Sequence, residues 1–149
     1  MKRITEYRKL FNISKETELA ELKLLYRGLM KEWHPDKFVD ENLKAEAELK
    51  SKTIIEAYHF LVSISPETHA STIDDYKLTT STAAIDDYLY KSQTLKITFT
   101  DGSKYEYFGV NVNTYNKLIN SGNIARFARR HIFDSYTYRN VFKPNAIIV

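Results

Sequence analysis

Tyr26-Arg27-Gly28-Leu29-Met30-Lys31-Glu32-Trp33-His34-Pro35-Asp36-Lys37-Phe38 holds the end of one element and the turn toward the next. Upstream of the turn, Leu22, Leu25, Tyr26, Leu29 and Trp33 step by three and four, the spacing of one helical face. That pattern predicts a helix from Thr17 to Trp33, capped by Thr17 or Ser14, with Glu18 and Glu21 near its positive end. Lys23, Arg27 and Lys31 recur every four residues on another face. Pro35 restricts His34 to extended geometry and so ends the helix. Downstream, Leu43, Ala47, Ile54, Tyr58 and Leu61 form the apolar stripe of a second helix, Glu41 to Val62. The two make an antiparallel pair with an exposed tip, and a short helix from Ile4 to Phe11 packs Tyr7, Leu10 and Phe11 across it.

These residues resemble the J-domain of DnaJ-type co-chaperones. The matching features are Tyr7, then Tyr26-Arg27 with Leu29, then Trp33-His34-Pro35-Asp36-Lys37, and finally Ile54, Glu56-Ala57-Tyr58 and Leu61. The resemblance covers about residues 4 to 70 and implies docking on an ATP-driven chaperone of the DnaK class, whose ATP hydrolysis the J-domain stimulates without performing chemistry itself. By the same resemblance His34, Pro35 and Asp36 are the essential contact, with Asp36 meeting an arginine of the partner and Pro35 holding the turn. A carboxylate on a guanidinium fork is a charge-assisted, geometrically specific pair. Lys23, Arg27, Lys31 and Lys37 then meet an acidic surface, which raises the association rate and makes it salt-sensitive. The chain departs from the family pattern at Gly28 and Glu32, where basic residues are common, and at Ser51, where a core Phe is usual. His69-Ala70-Ser71-Thr72 replaces the usual basic run after Pro66-Glu67.

Composition narrows the alternatives. A chain of 149 residues with 43% apolar residues builds one ordinary domain or two small ones. It has no Cys, so disulfides, thiol chemistry, Cys-type zinc sites and the Cys-rich zinc repeats of larger DnaJ proteins are excluded. No run of 18 apolar residues exists, and the stretch from Met1 to Phe11 is charged and then amphipathic, so the expected location is cytoplasmic, with no membrane partner. No second His, Ser or carboxylate motif at a recognised catalytic spacing accompanies His34, which points away from an enzyme. His59, His69 and His131 have no ligand spacing relative to it, and neither a metal nor another cofactor is expected.

From Ser63 to Ala84 the helical pattern lapses into a Ser/Thr-rich stretch with one Pro, read as a linker or an extra helix. The expected division is a J-domain-like part at 1–66, this connection at 67–82, and a second domain at 83–149. Cut after Thr82, the first part has 13 basic and 14 acidic residues, and the second 9 and 5. The formal excess of +3 is therefore concentrated in the second part. There Ile85–Lys91, Thr94–Thr100 and Lys104–Val110 alternate and favour Tyr, Thr, Ile and Phe, as strands do. Asp101-Gly102 is a hairpin turn signal. Helices are predicted over Thr114–Asn120 and Ile124–Ile132, and a last strand over Thr137–Phe142. The overall expectation is α+β: an all-α helical hairpin followed by an antiparallel sheet with two helices.

This second part resembles the KTSC domain over about residues 83 to 142. The resemblance rests on Tyr105-Glu106-Tyr107, the preceding Leu95, Ile97 and Phe99 with the Asp101-Gly102 turn, the following Gly109-Val110, and Ser121-Gly122 leading to Ile132 and Tyr136. RNA binding is a suggested role for that family. Tyr105 and Tyr107 share one strand face, as base-stacking aromatics do, and Lys117, Arg126, Arg129 and Arg130 are candidate phosphate contacts. Cross-strand packing of the tyrosines is the competing reading, and recognition of a client or partner protein is equally compatible. The function expected from the whole sequence is a co-chaperone of a DnaK-class ATPase. Its second domain supplies targeting or client specificity, and RNA binding is the alternative.

Overall fold

The computed structural model describes residues 2–142, which divide into two compact units that meet in sequence between His69 and Ala70. The first is helical. It contains α1 (Lys2–Phe11), α2 (Leu19–Trp33), a single 3-10 turn (Pro35–Lys37) and α3 (Glu41–Ile64). Its core comprises Ile4 and Phe11 of α1, Leu22 of α2, and Ala47, Ile54, Ala57, Phe60, Leu61 and Ile64 of α3. Tyr7 meets Phe60 edge-on at 5.3 Å, and the Arg3 guanidinium lies 4.2 Å from the other aromatic's centroid.

Two helix starts differ from the sequence pattern, one for a tertiary reason and one for a local reason. α2 begins at Leu19, and neither Ser14 nor Thr17 caps it; their side chains instead bond within the preceding loop. The Leu19 amide donates to Glu67 Oε1 at 3.0 Å, a carboxylate 48 residues away in sequence that satisfies one orphan donor and meets the positive end of the helix. The Ser/Thr-rich connection is itself helical, α4 (Pro66–Thr82). Its start is local: Ser65 is extended and accepts from the Glu67 amide, Pro66 takes the first helical position, and Glu67 follows in the first turn.

The second unit contains the remainder of α4 and a four-stranded antiparallel meander in the order β1-β2-β3-β4. The strands are β1 (Ile85–Lys91), β2 (Thr94–Phe99), β3 (Lys104–Phe108) and β4 (Thr137–Phe142), with α5 (Val112–Ile119) and α6 (Ile124–His131) between the last two. Alternation sends Leu95, Ile97 and Phe99 of β2 and Tyr105 and Tyr107 of β3 into one core with Leu118, Ala128, Ile132, Phe133 and Tyr138. At the β2–β3 turn Asp101 Oδ1 accepts from the Ser103 amide at 2.8 Å, and Gly102 adopts φ +88°. The β1–β2 turn is formed by Ser92 and Gln93, both at positive φ. The Gln93 carbonyl accepts from the Gly109 and Val110 amides, both at 3.0 Å, which holds a conformation that neither residue favours alone.

α4 contributes one buried aromatic to this core. Tyr76 stacks on Tyr138 at 4.0 Å, its hydroxyl donates to the Phe133 carbonyl at 2.8 Å, and it lies 2.9 Å from the Tyr107 hydroxyl. Because Tyr76 has one proton and spends it on Phe133, Tyr107 donates to Tyr76. Burial pushes both phenols far above their ordinary range and lifts Tyr138 to about 12.

Candidate functional site

The tip of the helical pair is positioned by aromatic packing on either side of the tripeptide. Trp33, the last residue of α2, is half-buried, with the Phe38 ring 6.4 Å away and the Lys50 ammonium of α3 5.8 Å from its centroid. Between Trp33 and Phe38 the chain makes one tight turn. His34 is extended at φ −63°, ψ 129°, as a residue preceding proline must be, and its carbonyl accepts from the Lys37 amide at 3.0 Å. Phe38 closes the turn by donating its amide to the Pro35 carbonyl at 3.1 Å. Asp40 then caps α3, accepting from the Asn42 amide at 3.1 Å.

The His34 side chain holds the backbone of the turn while both it and the Asp36 side chain remain open to solvent. His34 Nδ1 accepts from the Asp36 amide at 3.2 Å, so the imidazole itself caps the 3-10 turn. Accepting at Nδ1 puts the proton of the neutral ring on Nε2. The Asp36 carboxylate lies 3.7 Å from Nδ1 with its side chain 85% exposed, which leaves its oxygens available to a cation outside the chain.

Rigid packing of α2 on α3 sets where the basic row points. Tyr26 and Tyr58 stack in parallel at 4.0 Å, which fixes α2 in rotation. Lys23, Arg27 and Lys31, together with Lys37 on the turn, are all exposed. Among the described residues no carboxylate forms an ion pair with the three helical cations. His34, Asp36 and this row are therefore presented by one small scaffold, offering an anion beside a band of positive charge.

Of the two readings of Tyr105 and Tyr107, the structure gives packing in the core and no exposed aromatic platform. Tyr107 is fully buried and Tyr105 is 3% exposed, with rings packed among Tyr76, Phe99, Phe133 and Tyr138. Neither can stack on a base, because the face of β3 that carries them is the face the core needs. The cations fare differently: Lys117, Arg126, Arg129 and Arg130 are exposed on α5 and α6. They stand in a stretch, residues 107–133, that contains no carboxylate.

Sequence patterning alone missed two residues that organise these units. Glu67, which caps α2, belongs to the Ser65-Pro66-Glu67 helix start, a legible signal. Tyr76 is the only aromatic between Phe60 and Tyr88, and that isolation in a polar stretch is the trace it leaves.

A DnaJ domain model matches residues 6–68, and a KTSC domain model matches residues 81–136. The chain joins a DnaJ domain to a KTSC domain. The DnaJ match contains the whole turn and the basic row. The KTSC match begins after Tyr76, although that side chain sits in the core of the same unit.

Chaperone protein DnaJ of Hydrogenobacter thermophilus is 45% identical over 58 residues, which is 39% of this chain and 15% of that protein. A protein of the same name from Thermoplasma volcanium is 41% identical over 56 residues, 38% of this chain and 15% of the relative. The bovine DnaJ homolog subfamily C member 11 is 38% identical over 65 residues, 44% of this chain and 11% of the relative. The chain thus spans a small fraction of the length of these relatives. Among the described residues no helix is long and apolar enough to cross a membrane.

Proposed function

We propose that the chain is a co-chaperone of a DnaK-class (Hsp70-class) ATPase. It docks through His34, Pro35 and Asp36 together with Lys23, Arg27, Lys31 and Lys37, and it stimulates hydrolysis in the partner while catalysing nothing itself. The observation that carries this reading is the self-capped, solvent-exposed His34–Asp36 turn beside a basic row without internal ion pairs. A backbone turn already held by its own imidazole needs less ordering when its carboxylate meets a guanidinium, and the cations steer the encounter. The KTSC domain supplies targeting or client specificity in this reading. Steady-state ATPase turnover of the organism's own Hsp70-class protein should rise saturably with added full chain, and Asp36→Asn should remove at least about nine-tenths of the rise. Absence of stimulation, or equal stimulation by the variant, would refute it.

A second reading is favoured by one observation, the carboxylate-free stretch carrying exposed Lys117, Arg126, Arg129 and Arg130. With Tyr105 and Tyr107 in the core, RNA binding here would rest on phosphate contacts alone and be steeply salt-dependent. Retention of a single-stranded RNA by the full chain at low salt tests it; replacing all four cations by Gln should abolish the retention, and unchanged retention would exclude these residues.

A further inference from the structure

The exposed side of α2 carries two rows, of which the basic one is only the first. Ala20, Leu24 and Gly28 form the second, each three residues before a member of the basic row and so beside it on the helix surface. All six residues are exposed, Leu24 to 67%. One exposed leucine is ordinary. Gly28 makes this one informative. A glycine inside an exposed helix is unfavourable relative to Ala, and among the described residues nothing calls for it. Its φ is not in the left-handed region, and among the described residues a Cβ at that position would meet no atom within 4 Å beyond its chain neighbours and its own helix backbone. The missing side chain leaves a notch in the docking face, bordered by Leu24 one turn before it and by Lys31 three residues after.

Building on the co-chaperone reading, we propose that Leu24 and Gly28 form an apolar subsite within that face. The occupant is the Hsp70-class ATPase itself: an apolar side chain on its acidic surface lies over Gly28 against Leu24 while its carboxylates meet Arg27 and Lys31. Arg27 and Lys31, unpaired among the described residues, border the subsite on one side, with the exposed Glu21 and Glu32 on the other, so an acidic partner surface is met along the basic edge and the same partner is the source of both contacts. The division of labour follows from the physics. Charge accelerates encounter and is screened by salt, whereas an apolar contact slows dissociation and is not. Discrimination follows too, since an Hsp70-class protein with no apolar side chain at that place gains nothing from Leu24 and binds as weakly as charge alone allows.

One substitution has opposite expected signs under the two accounts of this face. Gly28→Arg adds a fourth cation and a better helix former, so charge attraction alone predicts tighter docking; an occupied notch predicts weaker docking. The experiment measures ATPase stimulation of the organism's Hsp70-class protein against concentration of the full chain, with melting temperatures recorded for each variant. Gly28→Arg is expected to raise the half-maximal concentration about tenfold, Leu24→Ala about fivefold and Gly28→Ala about threefold, all without loss of melting temperature. The effect of Leu24→Ala should persist at high salt. If wild type stimulates and Asp36→Asn does not, but either Gly28→Arg or Leu24→Ala docks as tightly as wild type, the subsite is overturned and the co-chaperone reading stands. If wild type itself gives no stimulation, both fall.

Discussion

In the helical unit the residues that stand out in the sequence, His34 to Asp36 and the row Lys23, Arg27 and Lys31, lie on the surface; in the sheet unit the equally conspicuous Tyr105 and Tyr107 lie in the core. The difference is one of desolvation. A helix of 15 residues can bury one stripe and leave its lysines and arginines in water, so a charged row keeps the place that its period assigns. A short strand has two faces, and the one bearing large rings is the one a small domain must bury to be stable. Aromatic periodicity on a strand therefore identifies core before it identifies a ligand platform.

The sharpest way to break this comparison is to remove the side chain that joins α4 to the sheet. Tyr76→Ala should cost about 3–5 kcal/mol in urea unfolding of the full chain, with amide protection in β2 and β3 lost first. A change below about 1 kcal/mol would show that Tyr76 is peripheral to that core. Tyr76→Phe keeps the ring but strands the Phe133 carbonyl and the Tyr107 hydroxyl, and should cost about 1–3 kcal/mol.

Alkali probes the same cluster without mutation. Burial raises the phenols of Tyr76, Tyr105, Tyr107 and Tyr138, the last to about 12, against about 10 for an unfolded tyrosine. The folded state therefore favours the protonated phenol. Its contribution is complete below pH 10 and is lost as pH rises through 12, by about 2 kcal/mol for Tyr138 alone. The urea midpoint should fall increasingly steeply above pH 10 as phenolate absorbance grows. A midpoint that stays flat up to about pH 12 would contradict the buried-phenol picture.

Smaller effects sharpen the contrast on each side. In the helical unit Glu67→Ala removes the cap on α2 and should cost about 0.5–2 kcal/mol, with faster exchange of the Leu19 amide as its local signature. Unchanged exchange at Leu19 would deny the cap any role in solution. In the sheet unit Gln93→Gly relieves positive φ at the β1–β2 turn and should stabilise by about 0.5–1 kcal/mol in the same unfolding experiment. A loss of stability there would mean that the Gln93 side chain contributes contacts outweighing its backbone strain.

Legibility in the sequence tracked the range of the interactions. Helix α3 starts at Glu41 and strand β1 spans Ile85–Lys91, as the local patterns indicate, because Asp40 and the alternation of side chains act over a few residues. The break at His34-Pro35 is equally local, since proline restricts its predecessor whatever surrounds it. The start of α2 was not legible, because its cap comes from a residue 48 positions away. The geometry of the β1–β2 turn was likewise hidden: Ser92-Gln93 lacks the Gly or Asn that positive φ favours, and amides of the chain after β3 hold it in place.

What the sequence determined by itself is the pair of domain types, the tripeptide turn and the basic row, all written in spacing and in short-range backbone restriction. Only the tertiary structure decided the allegiance of Tyr76 and the burial of Tyr105 and Tyr107. Those depend on which faces find apolar partners, and that is settled when distant segments compete to leave water.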